Sequence, residues 1–68
     1  MHIEHYENDQ LKSSYNIFNE DNLEAQANRL VKQLCLHPSV KGQMFGNSRN
    51  YLRVTIDDRK NTRFELYK

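Results

Sequence analysis

Histidine and cysteine side chains are the residues of this chain best suited to metal binding or nucleophilic catalysis. There are four of them, His2, His5, Cys35 and His37. On a strand His2 and His5 would face opposite sides, and structural zinc sites usually contain closer ligand pairs such as Cys-x-x-Cys. Cys35 and His37 have no third group nearby that would orient a catalytic base. We therefore predict no metal site, no cofactor and no enzymatic activity.

Charge is divided unevenly along the sequence. Residues 1–28 hold six carboxylates and one lysine, a net charge of −5. Residues 29–68 hold nine lysines and arginines and three carboxylates, a net charge of +6, so the formal total of +1 hides the contrast. A basic half attracts an anionic partner that the acidic half repels, and the acidic half could mimic phosphate. The sequence therefore predicts docking between oppositely charged surfaces.

Basic residues and tyrosines are interleaved in the C-terminal part of the chain, a combination that can neutralise phosphates and stack on bases. The predicted binding residues are Lys41, Arg49, Tyr51, Arg53, Arg59, Lys60, Arg63 and Tyr67. Two kinds of partner are compatible with them: a larger protein or nucleoprotein complex, and DNA or RNA bound directly. The sequence pI of about 7.9 is below the value above about 9 that is typical of nucleic-acid-binding modules. We therefore favour the protein partner.

The middle of the chain predicts an amphipathic helix at about residues 20–36. Its apolar residues recur at steps of three and four, which places on one stripe Leu23, Ala27, Leu30, Val31 and Leu34. Either Asn19 or Asp21 would cap the start of this helix. Pro38 is expected to end it, because the residue before a proline disfavours helical geometry.

The C-terminal part, about residues 51–67, predicts a β-hairpin, because apolar and polar residues alternate on both sides of a polar turn at 57–61. Folding about Arg59 places apolar side chains opposite each other on one face and polar side chains opposite each other on the other face. The predicted pairs are Val54 with Phe64, Leu52 with Leu66, Arg53 with Glu65, and Tyr51 with Tyr67. A shift of one residue would mix the two faces, so the pattern also fixes the register.

The rest of the chain gives weaker signals. Residues 15–18 predict a short strand before the helix, and residues 39–50 predict a connection. Residues 1–12 are compatible with an edge strand, a flexible arm or disorder. One helix laid across a small antiparallel sheet would bury both apolar faces, so we predict a single two-layer α+β domain of β-α-β-β order. A parallel pairing of the first strand with one hairpin strand is compatible with the same order.

Size and composition narrow the expected role. A domain of 68 residues has a small core, and such domains often rely on a partner subunit, here through a free sheet edge that could form a homodimer. With one cysteine, no signal peptide and no long apolar run, we expect a cytoplasmic protein without a membrane segment. Small Asn-rich α+β chains are a common form of phage and mobile-element accessory proteins. We therefore expect a stoichiometric inhibitor that docks on a host nucleic-acid-handling or defence complex.

Overall fold

Two strands precede the helix and three follow it. The computed structural model describes residues 1–34 and 42–68. Its elements are β1 His2–Glu7, β2 Gln10–Asn16, α1 Leu23–Leu34, β3 Gly42–Ser48, β4 Tyr51–Ile56 and β5 Arg63–Tyr67. The strands form one antiparallel five-stranded sheet in the order β2-β1-β5-β4-β3, with α1 packed on one side. The predicted α+β class is confirmed, although the sheet has more strands than the β-α-β-β order allowed.

The first two strands form a hairpin around a two-residue turn. Asn8 and Asp9 have φ angles of 51° and 64°, as a type I′ turn requires, and both residue types adopt such angles more easily than most. β1 also pairs with β5, and this pairing is antiparallel, so the parallel alternative is wrong. Residues 1–12 are therefore strand and turn. The strand predicted at 15–18 is the end of the longer β2, which stops at Asn16.

The core lies between α1 and strands β1, β5 and β4. Its buried side chains are Ile3, Leu23, Ala27, Leu30, Leu52, Val54, Ile56, Phe64 and Leu66. The side-chain oxygen of Asn22 accepts the backbone N–H of Ala25 at 3.0 Å, which makes Asn22 the N-cap of α1. The predicted caps Asn19 and Asp21 are therefore wrong, and the helix begins at Leu23 rather than near residue 20.

The C-terminal hairpin has the predicted register, with all four expected cross-strand pairs in place. Asp58 organises its turn. Its carboxylate accepts the backbone N–H groups of Lys60 and Thr62 at 3.1 and 3.0 Å, and the Thr62 hydroxyl at 2.6 Å. Burial raises the pKa of Asp58, but these hydrogen bonds and the nearby Lys60 charge outweigh it and hold the pKa below its usual value.

Strand β3 occupies most of the segment 39–50 that was predicted as a connection, so that prediction is wrong for Gly42–Ser48. It pairs with β4 and forms the second edge of the sheet. Its register shifts between positions 45 and 48, where Gly46 has a φ angle of 117°. Glycine adopts this angle readily, so the shift is a β-bulge built around it.

Four residues used in the predictions lie outside the described residues: Cys35, His37, Pro38 and Lys41. The expected helix end and the binding role of Lys41 therefore stay predictions. Within residues 1–34 and 42–68, α1 is too short and too polar to cross a lipid bilayer.

Candidate functional site

Alternation along β1, β5 and β4 directs one set of side chains to α1 and the other set to the opposite side of the sheet. None of the described elements covers that opposite side, which we call the open face. The strand register aligns its side chains in three cross-strand rows: His2–Tyr67–Tyr51, Glu4–Glu65–Arg53 and Tyr6–Arg63–Thr55. The open face is therefore aromatic along one row and charged along the next.

Glu65 is the centre of the open face and is 5% exposed although it carries a charge. Tyr51 donates its hydroxyl to Glu65 Oε2, and Arg53 Nε donates to Glu65 Oε1 at 3.1 Å. Arg63 Nε lies 3.0 Å from the same oxygen, close enough for an ion pair but not aligned as a hydrogen bond. Two guanidinium groups thus offset the repulsion between Glu65 and Glu4, which faces it across the strands.

Arg63 is held from several sides. Its Nη1 donates to Asp9 Oδ1 at 2.8 Å, in the turn between β1 and β2. Its guanidinium carbon lies 4.4 Å from the centre of the Tyr6 ring, within the range of a cation–π contact. The Tyr6 hydroxyl in turn donates to Glu4 Oε1 at 3.1 Å. These contacts hold one end of the open face, because Tyr6 and Glu65 are themselves hydrogen-bonded to other residues of the face.

The tyrosines of the open face serve as donors and ring surfaces rather than as bases. Burial raises the pKa of Tyr51 and of Tyr67, and nearby Glu65 raises both further. A hydrogen bond to Glu4 raises the pKa of Tyr6. The rings of Tyr51 and Tyr67 lie 5.3 Å apart at 45°, a favourable tilted arrangement. All three phenols therefore stay protonated at neutral pH.

Arg53 is the most accessible cation on this face, with 48% of its side chain exposed. Its Nε binds Glu65 and also donates to the Tyr51 hydroxyl at 3.2 Å, whereas its Nη groups have no hydrogen-bond partner among the described residues. A hollow of about 260 Å³ lies beside it, lined by Asp9, Arg53, Thr55, Ile56, Asn61, Thr62 and Arg63. This hollow is below the size usual for a cofactor pocket but large enough to receive one side chain.

The structure brings together only part of the predicted binding set. Arg53, Arg63, Tyr51 and Tyr67 share the open face, as predicted. Arg49 lies in the turn before β4, whereas the remaining two basic residues lie in the turn after it, at Arg59 and Lys60. Because β4 has six residues, these two groups are separated by roughly 20 Å. They do not form one basic patch.

Sequence reasoning missed the contribution of β1 to this face. His2, Glu4 and Tyr6 alternate with the buried Ile3, and this alternation is the signal that identifies a half-buried strand. His2 is bound on the face by Ser14 Oγ and Asn16 Oδ1, both at 3.1 Å. Its ring is therefore part of the surface rather than a free ligand.

The two charged halves of the sequence are not separate surfaces in space. Arg63 binds Asp9 at 2.8 Å, and Arg29 binds Glu20 at 2.8 Å, so both pairs join the acidic half to the basic half. The cause is the strand order, because β1 pairs directly with β5 and places acidic residues beside basic ones. The contrast in charge along the sequence is therefore not a contrast between two surfaces, and docking between oppositely charged surfaces stays a prediction.

Metal-binding residues do not converge within the described ranges, where no cluster of three His, Cys, Asp or Glu side chains occurs. His2 faces the open side, and His5 stacks on Phe64 on the helix side at 4.6 Å between ring centres. Cys35 and His37 fall outside these ranges. The chain matches no protein-family model, no curated protein and no solved structure.

Proposed function

We propose that this chain is a non-enzymatic binding protein that docks on a larger protein or nucleoprotein complex through the open face of its sheet. The observation that carries the proposal is Arg53, which is half exposed next to the central Glu65 and whose Nη groups have no hydrogen-bond partner in residues 1–34 and 42–68. A guanidinium oriented in this way binds a carboxylate through two parallel hydrogen bonds. The partner is therefore expected to offer an acidic side chain at the point of contact.

The composition of the open face also favours a protein partner. Tyrosine and arginine are the residues enriched at protein interfaces and their hot spots, because they combine large rings or planar groups with polar ends. Tyr51 and Tyr67 lie together on the row next to Arg53. Contacts within the face already fix these side chains, so little conformational entropy is lost when a partner binds.

The charge balance argues against DNA or RNA as the direct partner. Arg53 and Arg63 share the face with the carboxylates of Glu4 and Glu65, and Arg63 also binds Asp9, so the face has no net positive charge. Neutralising five or six phosphates would give affinity a steep salt dependence, with a log–log slope of about −4 to −5. A partner bound through one or two carboxylates should show a much shallower slope.

The test is capture of the partner from the native host by wild-type protein and by two matched variants. Arg53→Gln removes the exposed positive charge of the open face, and Lys32→Gln removes one from the exposed side of α1. We expect Arg53→Gln to lose most of the captured partner and Lys32→Gln to keep it, with both variants folded by circular dichroism. Equal capture by both variants would refute the open face as the binding surface.

The nature of the captured material tests the rest of the hypothesis. Nucleic acid that stays on the captured protein through a low-salt wash without nuclease, and is then released by a high-salt wash, would favour the direct nucleic-acid alternative. The expected origin of the chain in a phage or mobile element, its action as an inhibitor and its cytoplasmic location stay predictions.

A further inference from the structure

The edge strand β2 presents backbone groups that have no hydrogen-bond partner within the described ranges 1–34 and 42–68. All seven of its residues are exposed. Met1 and Ile17 exchange backbone hydrogen bonds of 2.8 and 2.9 Å, so in this antiparallel ladder Ile3 and Tyr15 form the next such pair. The backbone groups of Ser14 and Asn16, which alternate with them, therefore point away from β1 toward the open edge.

The sequence of β2 protects only the first part of this edge. Proteins usually protect edge strands with proline, lysine and other charged side chains, or bulges. β2 contains no proline and no carboxylate, and its one charged residue, Lys12, is the extra residue of the bulge between Ser13 and Leu11. Beyond this bulge the strand is regular and uncharged as far as Asn16. The opposite edge strand, β3, also carries a bulge, at Gly46, so within the described part of the chain only β2 offers four consecutive regular residues next to an exposed aromatic ring.

Apolar surface accompanies the free backbone groups. Tyr15 lies on the helix side of the sheet, opposite Ile3, and is 39% exposed because α1 covers β4 and β5 rather than β2. Phe18, just beyond the strand, is 94% exposed. A strand docked on this edge would cover both the backbone groups and part of these rings.

We propose that the occupant of this edge is a second copy of the chain, paired β2 to β2 in antiparallel direction with Tyr15 facing the partner's Tyr15 on the two-fold axis. In this register Ser14 and the partner's Asn16 exchange backbone hydrogen bonds, and symmetry repeats the exchange, giving about four bonds. Tyr15 then occupies a non-hydrogen-bonded position, where facing side chains approach most closely and aromatic pairs are favourable.

Charge and register favour this arrangement over other self-pairings. Centring the pair on Tyr15 places Lys12 across from the partner's Phe18, so the two lysines stay apart. Centring it on Ser14 would bring Lys12 opposite Asn16, where the bulge interrupts the regular ladder. Because the two-fold axis is perpendicular to the sheet, both helices lie on one side of the joined sheet and both open faces on the other.

The experiment is sedimentation equilibrium over a concentration series, with variants that test the residue on the axis. Tyr15→Glu or Tyr15→Lys alone would place like charges opposite each other and should weaken dimerisation at least about tenfold. An equimolar mixture of the two should regain the dimer, because Glu then faces Lys. Gln33→Glu, on the exposed side of α1, is the control and should leave dimerisation unchanged.

A second variant guards against misfolding at position 15. Ser14→Pro removes an N–H group that points to the free edge, a place where strands tolerate proline, so it should abolish the dimer while keeping the wild-type circular dichroism spectrum. A wild-type chain that stays monomeric to millimolar concentration would overturn the proposal. So would a dimer that survives Tyr15→Glu and Ser14→Pro, or a charge-swapped mixture that stays monomeric. Tyr15 lies on the helix side of the sheet, so the charge variants at position 15 leave the open face unchanged, and this proposal and the proposed function fail separately.

Discussion

Removing the carboxylate of Glu65 is the most direct test of how the open face is held together. In Glu65→Ala, the Tyr51 hydroxyl loses its acceptor, the Arg53 Nε loses a hydrogen bond, and the Arg63 guanidinium loses an ion pair. The alanine keeps the strand backbone, so the change acts on side-chain interactions. We expect the variant to fold with lower stability.

The size of the effect depends on how well water and the remaining partners can solvate the charges of Arg53 and Arg63 once Glu65 is removed. Removing one member of a fully buried ion pair costs about 3 to 5 kcal/mol, because the other charge stays buried. Here 48% of the Arg53 side chain is exposed and Arg63 keeps Asp9, so both charges find compensation. The change also relieves repulsion between Glu65 and Glu4. We therefore expect a loss of about 2 kcal/mol in the free energy of unfolding.

Thermal and urea unfolding at neutral pH would measure this loss. For a domain of this length a change of about 2 kcal/mol corresponds to a fall in Tm of roughly 8 to 16 °C. Glu65→Gln keeps an acceptor oxygen and should lose about half as much. Asp57→Asn, an exposed carboxylate in the following turn, is the control and should stay within about 0.5 kcal/mol of wild type. An unchanged Tm in Glu65→Ala would show that the network contributes nothing to stability.

Three smaller predictions concern the turn, the helix cap and the exposed aromatic ring. Asp58→Ala should lower the free energy of unfolding in urea by about 2 kcal/mol, because Thr62 loses its acceptor. Folding lowers the pKa of Asp58, so the stability difference between wild type and variant should be full above about pH 4 and decline as the pH falls toward and through the folded-state pKa. Asn22→Ala should lower stability by about 1 kcal/mol and Asn19→Ala by almost nothing, a contrast that a reversed ranking would contradict. Phe18→Ser should leave the free energy of unfolding within about 0.5 kcal/mol at dilute concentration, because the ring is 94% exposed, and a larger loss would mean that the ring packs on the fold.

The C-terminal hairpin could be predicted to the residue because one face of it is fully buried. Leu52, Val54, Phe64 and Leu66 alternate with polar residues, so only one register keeps the apolar side chains together. The buried stripe of α1 was predictable for the same reason, through its helical spacing. Both elements contact the core along most of their length, although Leu34 at the end of α1 is 42% exposed. Burial of one face requires apolar residues at regular intervals, and this periodicity can be recognised in the sequence.

Edge strands carry no such pattern, which explains why β2 and β3 were missed or shortened. Every residue of β2 is exposed, so nothing selects apolar side chains at alternate positions. The available signal was local: Asn8 and Asp9 are residue types that form two-residue hairpin turns. The N-cap failed for a different reason, because Asn19, Asp21 and Asn22 are all acceptable caps, and tertiary packing of Leu23 decides among them.

Only the part of the candidate site that lies on β4 and β5 could be predicted, because the cross-strand rows also include β1, which is distant from them in sequence. The hairpin pairs of Arg53 with Glu65 and Tyr51 with Tyr67 followed from the register of β4 and β5. Strand order, however, is decided by packing, and the insertion of β1 beside β5 brought Glu4 and Asp9 into contact with the basic residues. The charge contrast along the sequence therefore does not survive as a contrast in space.

The fold separates the surface proposed for a partner from the edge proposed for self-association. The open face is formed by β1, β5 and β4, whereas the free backbone groups belong to β2, and Tyr15 points to the helix side. Pairing through β2 would leave the open face accessible and place two copies of it on the same side of one continuous sheet. A partner with two acidic contact points could then bind both Arg53 side chains, and the second contact would form at the high effective concentration that a rigid dimer provides. Modest affinity at each face would in that case be sufficient for stable docking.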